Sequence, residues 1–308
     1  MLITIEPNAK PCPGVERAII MAEEILLRGN ILYSVGQLIH NRREVERLEN
    51  LGLKLVKPEE LASLEDSKTT DELYFLVRTH GESEEILQLA REYGFKIVDA
   101  TCPIVQHSQE IVDQHVKEGW GIIIVGNKTH PEVTGLLTRT NGNGIVVSSK
   151  EEAIQQDFEE RSLLLAQTTI DPVLFSEVRK ILSSKLSNLK IVDTTCKFIH
   201  NRQSNISTFS AQQDVVIIVG GENSSNCKLL HKTALKVNKR SFKIEEPEQI
   251  AKEWLKDAEK IGISGGASTP RWQLEEIKAY LSNHKTVKNP KGLKNSKGGK
   301  FSWWMKKN

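Results

Sequence analysis

Short apolar runs recur along the chain, each closed by a small or polar residue. The clearest are LYSVG at 32–36, IIIVG at 122–126 and VIIVG at 216–220. Runs this short, rich in Val, Ile and Leu and stopped by glycine, predict buried strands. Between them the period changes. From Val15, VERAIIMAEEIL brings Val15, Ala18 or Ile19, Ala22 and Ile25 or Leu26 onto one face, and SQEIVDQHVKEG does the same with Ile111, Val112 and Val116. Both predict helices lying on a sheet. Strand and helix patterns alternate with short connections, which predicts parallel α/β layers.

The alternation is written three times. KIVDATCPIV at 96–105 matches KIVDTTCKFI at 190–199, and LITIEPNAKPCPGV at 2–15 is a looser copy. The register holds downstream: Gly36, Gly126 and Gly220 each lie 24 residues beyond Cys12, Cys102 and Cys196, and four residues later stand His40, His130 and Ser224. YFLVRTHG, LLLAQTT and GISGGAS then end apolar strands in His80, in Thr168 with Thr169, and in Ser268. The expected organisation is three α/β repeats, 1–95, 96–189 and 190–283, each with a mainly parallel four-stranded sheet, followed by a basic disordered tail at 284–308. Three like units bury their joining surfaces best in a closed pseudo-threefold arrangement. Ligands of parallel sheets bind beyond the carboxyl ends of the strands, so one central cleft with three thiols at its floor is expected.

Composition narrows the class without changing this picture. Hydrophobic residues at 38% and charged residues at 27% describe a chain able to fold, and exclude disorder for its body. No apolar run approaches the roughly 18 residues that span a bilayer, and no basic leader precedes an apolar stretch, so a cytoplasmic protein is expected. Four cysteines without CxxC spacing exclude a disulfide-stapled domain. Eight lysines and no acid fall within 285–308. That run reads as a solvated tail rather than a nucleic-acid or membrane site.

The repeated positions carry the chemistry. Each cysteine stands where a strand enters a helix start, and there the helix dipole favours thiolate. Three soft ligands suit zinc or an iron–sulfur cluster. Zinc sites commonly draw ligands from local pairs, which are missing here, whereas a cubane on three thiolates keeps one iron open. Cys227 falls outside the register and reads as a free thiol. His40, His80 and His130, with hydroxyls and amides, make a phosphate site. Glu132, beside His130 at a strand end, is the expected general acid. Asp99 and Asp193 are expected to hold turns.

These residues, read as CPGV (12–15), IHNRREVERL (39–48), THGE (79–82), DATCP (99–103), THPEVTG (129–135), QTT (167–169), NRQ (201–203), NSSN (223–226) and SGGAS (264–268), closely resemble the 4-hydroxy-3-methylbut-2-enyl diphosphate reductase family, over about residues 2–283. The resemblance implies a trefoil of three α/β domains around a [4Fe–4S] cluster held by Cys12, Cys102 and Cys196. It implies reductive loss of the substrate's hydroxyl at the fourth iron, giving isopentenyl and dimethylallyl diphosphate, with electrons from reduced ferredoxin or flavodoxin. By motif, His40, His80, His130, Ser224, Asn226 and Ser268 would bind the diphosphate, with Ser225 and Thr169 beside them. Glu132 would feed protons, and Thr168 would sit by the hydroxyl. Two places depart from the family pattern: proline follows the first cysteine, stiffening that loop, and KFIH at 197–200 puts Ile199 where a hydroxyl is expected. Two other readings are a divergent paralogue that keeps the cluster but senses redox state or binds an anion without turnover, and a zinc hydrolase with a Cys₃ or Cys₂His site.

Overall fold

The computed structural model describes residues 1–64 and 72–283; the lysine-rich tail expected at 284–308 lies outside the described residues. The chain begins with strand β1 (Leu2–Ile5) and helix α1 (Pro13–Leu26), followed by β2 (Ile31–Val35), α2 (Arg42–Asn50), β3 (Leu53–Val56), β4 (Leu73–Val77), α3 (Glu84–Glu92) and β5 (Lys96–Asp99). A second run comprises α4 (Pro103–Lys117), β6 (Gly121–Val125), α5 (Pro131–Thr138), β7 (Gly144–Val147), α6 (Lys150–Gln155), β8 (Arg161–Ala166), α7 (Pro172–Lys185) and β9 (Asn188–Ile191). A third holds α8 (Lys197–Ser210), β10 (Val215–Val219), α9 (Ser225–Val237), β11 (Ser241–Ile244), β12 (Lys260–Gly265) and α10 (Arg271–Asn283).

The strands form three four-stranded sheets, in the orders β3-β2-β4-β5, β7-β6-β8-β9 and β11-β10-β12-β1. Every pairing is parallel. The three orders are one pattern, with the N-terminal strand β1 supplying the last place of the third sheet. The strands therefore cut the chain differently from the boundaries expected at 95/96 and 189/190. The segments thought to open the second and third repeats, β5 and β9, are the fourth strands of the first and second sheets. The reason is topological. Strand-to-cysteine segments carry the chain out of one sheet and into the next, so repeat phase and sheet membership differ by one strand. Each of the three cysteines consequently sits on a crossing between sheets, and β1 pairing Ile3 with Ile261 and Ile5 with Ile263 closes the ring of units.

The central strands read as continuous apolar runs because both their faces are covered. All of β6 and β10 is buried, and each such Val or Ile side chain contributes roughly 1.5–3 kcal/mol on leaving water. Helices close the faces with the residues the pattern singled out: Val15, Ala18, Ala22 and Leu26 of α1 pack with Leu32 and Leu76, and Val112 of α4 packs with Ile122, Ile124 and Leu163. Asn141 and Gly142 hold positive φ angles of 52° and 83° in the turn from α5 to β7, so this Asn-Gly pair joins a helix to a strand rather than a hairpin. Among the described residues no helix is long and apolar enough to cross a membrane.

Candidate functional site

The carboxyl ends of the three sheets face one cavity of about 710 Å³, counting its open mouth. Its lining includes every residue expected at the site: Cys12, Cys102 and Cys196; His40, His80 and His130; Glu132 with Thr168 and Thr169; and Ser224, Ser225, Asn226 and Ser268. Local signals place them. Cys12, Cys102 and Cys196 are the N-cap residues of α1, α4 and α8, His130 caps α5, and Ser224 caps α9 with its hydroxyl accepting the Cys227 N–H at 3.3 Å. The cysteine backbones are fixed alike. Cys12 N–H donates to the Ala267 carbonyl at 2.9 Å, Cys102 to Thr79 at 3.0 Å and Cys196 to Thr168 at 2.9 Å. Each thiol is thereby anchored to the loop that presents Ser268, His80 or Thr168.

Cys12 and Cys196 are not the ready thiolates that their helix starts suggested. Burial, with mutual repulsion from Cys102 and Cys196, pushes Cys12 up to about 11, and burial also raises Cys196. Desolvation outweighs the helix ends here, so ionising these sulfurs requires a cationic partner. Cys12 Sγ accepts the Val15 N–H at 3.5 Å, and the nearby Phe198 and Ile199 N–H groups pull Cys196 back down against its burial. An alanine at Gly14 would put its Cβ 2.9 Å from Cys102 Sγ, so only glycine lets α1 approach this closely. Pro13 occupies the first turn of α1, where its missing N–H costs nothing. Ile199 is buried and lines the cavity at the place expected to hold a hydroxyl.

The three imidazoles cluster with ring centroids 4.3, 5.0 and 5.4 Å apart. Their ring nitrogens lie within 4.8 Å of one another, close enough for one metal ion, but the hydrogen bonds argue otherwise. His130 Nδ1 accepts the Glu132 N–H at 3.2 Å, so the neutral ring carries its proton on Nε2. That Nε2–H lies 3.2 Å from His40 Nε2, which must accept with its lone pair. A metal at His130 Nε2 would need the lone pair that the proton occupies. His130 therefore presents a donor to the cavity, as an anion requires. Burial and neighbouring cations keep all three rings neutral: His130 is lowered to about 4, His40 is lowered by burial, Arg78 and Lys228, and His80 is held well below its ordinary range. His80 Nδ1 and both side-chain polar atoms of Asn226 are buried without a protein partner. Buried polar atoms left open in this way cost stability unless a ligand meets them.

Glu132, 2% exposed, accepts from Thr168 twice: from the backbone N–H at 2.6 Å and from the hydroxyl at 2.8 Å. Burial pushes its carboxyl up to about 7 against the pull of those bonds, so near neutrality it holds or releases a proton. Asp99 and Asp193 hold turns as expected, each accepting the N–H two residues on. Cys227 is fully buried under Gly220 and Gly266, where a Cβ would come within 2.3 and 2.1 Å of its sulfur. It is a packing residue.

Two supports escaped sequence reasoning. Arg78 is clamped by Glu82 at 2.9 and 2.8 Å and is the cation nearest in sequence to His80. Arg202 and Glu6 form a buried ion pair at 2.8 Å, and Arg202 also donates to Ser264 Oγ at 3.0 Å and the Gly265 carbonyl at 2.9 Å, while the Ser264 hydroxyl bonds the other Glu6 oxygen. The signal was present: Ile199, Arg202, Ile206 and Phe209 share the buried face of α8, so an arginine stands in an apolar stripe.

Residues 3–282 match the family model described as LytB protein. The chain is 37% identical over 291 residues to the 4-hydroxy-3-methylbut-2-enyl diphosphate reductase of Phocaeicola vulgatus, covering 92% of this chain and 99% of that one. It is 36% identical over 283 residues to the Aquifex aeolicus protein of the same name, covering 91% and 95%. A solved structure of (E)-4-hydroxy-3-methyl-but-2-enyl diphosphate reductase, described as the terminal enzyme of the non-mevalonate pathway, superposes with a TM-score of 0.67 at 35% identity over 92% of this chain and 100% of that one. The Plasmodium falciparum E-1-hydroxy-2-methyl-but-2-enyl-4-diphosphate reductase superposes with a TM-score of 0.81 at 25% identity over 92% and 88%.

Proposed function

The chain belongs to the LytB family, and we propose that its central cavity reduces 4-hydroxy-3-methylbut-2-enyl diphosphate to isopentenyl and dimethylallyl diphosphate. The observation that carries this is the convergence on one cavity of three thiols, an anion-binding set of imidazoles, hydroxyls and an amide, and a protonatable carboxyl. The balance is simple: the allylic C–O bond breaks, two electrons and two protons enter, and water leaves.

The donor set fits a [4Fe–4S] cluster. Cys12, Cys102 and Cys196 are soft ligands that line one cavity, and the Val15 N–H is aimed at Cys12 Sγ. A cluster spreads them over several metals. When bound it supplies electrons singly and a Lewis-acidic iron that no protein side chain covers.

The chain's own groups do the rest. His130 Nε2–H, His40, His80, Ser224, Asn226 and Ser268 hold the diphosphate, which fixes the hydroxyl end toward Thr168. Ser225 and Thr169 border the same space. Glu132 passes a proton through the Thr168 hydroxyl to the departing oxygen, as a carboxyl poised near 7 is able to do. Ile199, Val15 and Ala267 exclude water around the hydrocarbon. Reduced ferredoxin or flavodoxin supplies the electrons. The test is anaerobic purification, iron and sulfide analysis, and turnover of the hydroxylated allylic diphosphate with dithionite and a viologen. About four irons per chain and substrate-dependent oxidation of the viologen are expected; a colourless, iron-free and inactive protein would refute the reading.

A further inference from the structure

Two walls of the diphosphate set come from different units: His40 and His80 follow strands of the first sheet and Ser224, Asn226 and Ser268 follow strands of the third, with His130 on the second. How firmly those two walls are joined decides whether they can meet one ligand. The seam carries a buried polar network outside the cavity. Asn41, the residue after His40, caps α2 by accepting the Glu44 N–H at 3.0 Å. The rest of its amide is spent across the seam. Asn41 Nδ2 donates to Gln273 Oε1 at 2.9 Å and Gln273 Nε2 donates back to Asn41 Oδ1 at 2.8 Å. Both residues are 1% exposed.

The network continues beside the pair. Trp272 Nε1 donates to the buried Glu44 at 2.8 Å, and Arg43 lies over the Trp272 ring at 5.0 Å while pairing with Glu276 at 2.6 Å. On the cavity side, Ser268 Oγ donates to the His40 carbonyl at 3.1 Å. The third unit comes so close there that an alanine at Gly221 would place its Cβ 2.6 Å from that carbonyl oxygen. His40 is thus gripped between a carbonyl contact inside the cavity and an amide pair behind it.

We propose that Gln273, through its reciprocal amide pair with Asn41, is a positioning residue that sets the diphosphate affinity of the cavity by holding His40 at a fixed distance from Ser268. The proposal rests on the diphosphate reading and deepens it. Two amides that each donate and accept fix distance and twist together, which a single contact does not. Breaking the pair leaves a buried amide unmatched, and the nearest relief is for α2 and His40 to shift away from the third unit.

The test uses cluster-loaded wild type, Gln273→Leu, Asn41→Ser and the double variant. Leucine keeps the volume without the amide, and serine keeps the cap on α2 without the seam bond. The readouts are calorimetric affinity for inorganic pyrophosphate, KM and kcat separately, and the EPR spectrum of the reduced protein. We expect each single variant to weaken pyrophosphate binding and raise KM by about ten- to a hundredfold, with kcat within about threefold and the EPR spectrum unchanged. The double variant should be no worse than the weaker single, because both remove one shared pair. Unchanged pyrophosphate affinity in Gln273→Leu overturns the proposal. So does a loss confined to kcat and cluster signal, which marks a merely structural residue, or a double variant whose defects multiply. If Gln273→Leu does not fold, Asn41→Ser decides alone on the same affinity and KM readouts. Wild type that binds no pyrophosphate overturns the proposed function together with this inference, whereas wild type that binds it tightly beside an equally tight Gln273→Leu overturns this inference alone.

Discussion

Diphosphate binding should draw a proton onto His40. The Glu132 N–H fixes His130 as the Nε2–H tautomer, and that proton points at the lone pair of His40 Nε2. A diphosphate offers acceptors only. His130 can turn its donor to the ligand, and His40 Nε2 then faces a phosphate oxygen only as an N–H, which the added phosphate charge favours supplying as a second ring proton. The groups around His40 make this costly before binding and favourable after it. Arg78 with its partner Glu82, Lys228, and the neutral rings of His80 and His130 face it, burial lowers it further, and the nearest cavity carboxyl, Glu132, is tied to Thr168. One phosphate charge at about 4 Å is worth roughly 4 kcal/mol at an effective dielectric near 20. Against about 1.36 kcal/mol per pKa unit, that is an upward pull of about three units, opposed to the burial and the cations that lower His40.

The sign follows from linkage. Between the free and bound pKa values of His40 one proton is taken up, so affinity falls as pH rises through that window, by up to about tenfold per unit. The assay is calorimetry of an organic diphosphate at pH 7.5 in two buffers of different ionisation enthalpy, on wild type and His40→Asn. The ligand's own ionisation is common to both proteins, and their difference isolates His40. Wild type should take up about one proton more. Equal uptake in the two proteins would refute the protonation of His40 on binding.

Glu132→Gln keeps the shape and one acceptor toward Thr168 but removes the proton, so kcat should fall by about 10²–10⁴ with pyrophosphate affinity changed less than about threefold. Because Glu132 is raised to about 7 and must be protonated to act, kcat in wild type should decline as pH rises through about 7; a profile flat from pH 6 to 8 contradicts the assignment. Gly221→Ala meets a backbone carbonyl at 2.6 Å that cannot swing aside, and should weaken pyrophosphate binding at least about tenfold, with anaerobic titration as the check. Arg202→Leu strands Glu6 in the core and should cost about 3–5 kcal/mol in anaerobic denaturant unfolding, with Glu6→Gln added to it restoring part of the loss; additive losses would mean that the pair is not coupled.

The sequence disclosed the site more fully than it disclosed the seams, for a physical reason. Cysteine, histidine and hydroxyl positions recur because three units point their strand ends at one axis, so spacing alone brings Cys12, Cys102 and Cys196 into register. What joins the units is not periodic. Asn41 with Gln273 and Glu44 with Trp272 join the first unit to the third at separations of 232 and 228 residues, Arg202 with Glu6 ties the N-terminal segment into the third unit across 196, and no local pattern records a partner so distant. The strand boundaries slipped for a related cause, since a segment such as KIVDATC belongs to one sheet by hydrogen bonding and to the next by its cysteine. The thiol chemistry was misread because helix ends are visible in a sequence while burial is not. Three helix starts argued for thiolates, yet desolvation holds Cys12 near 11. That reversal bears on how the site assembles. Cys12 and Cys196, held up by burial on preset N-caps already anchored to Ala267 and Thr168, make a cavity that is shaped before it is charged. Metal uptake then releases protons into a fixed frame, so cluster loading should depend on pH more steeply than folding of the three units does.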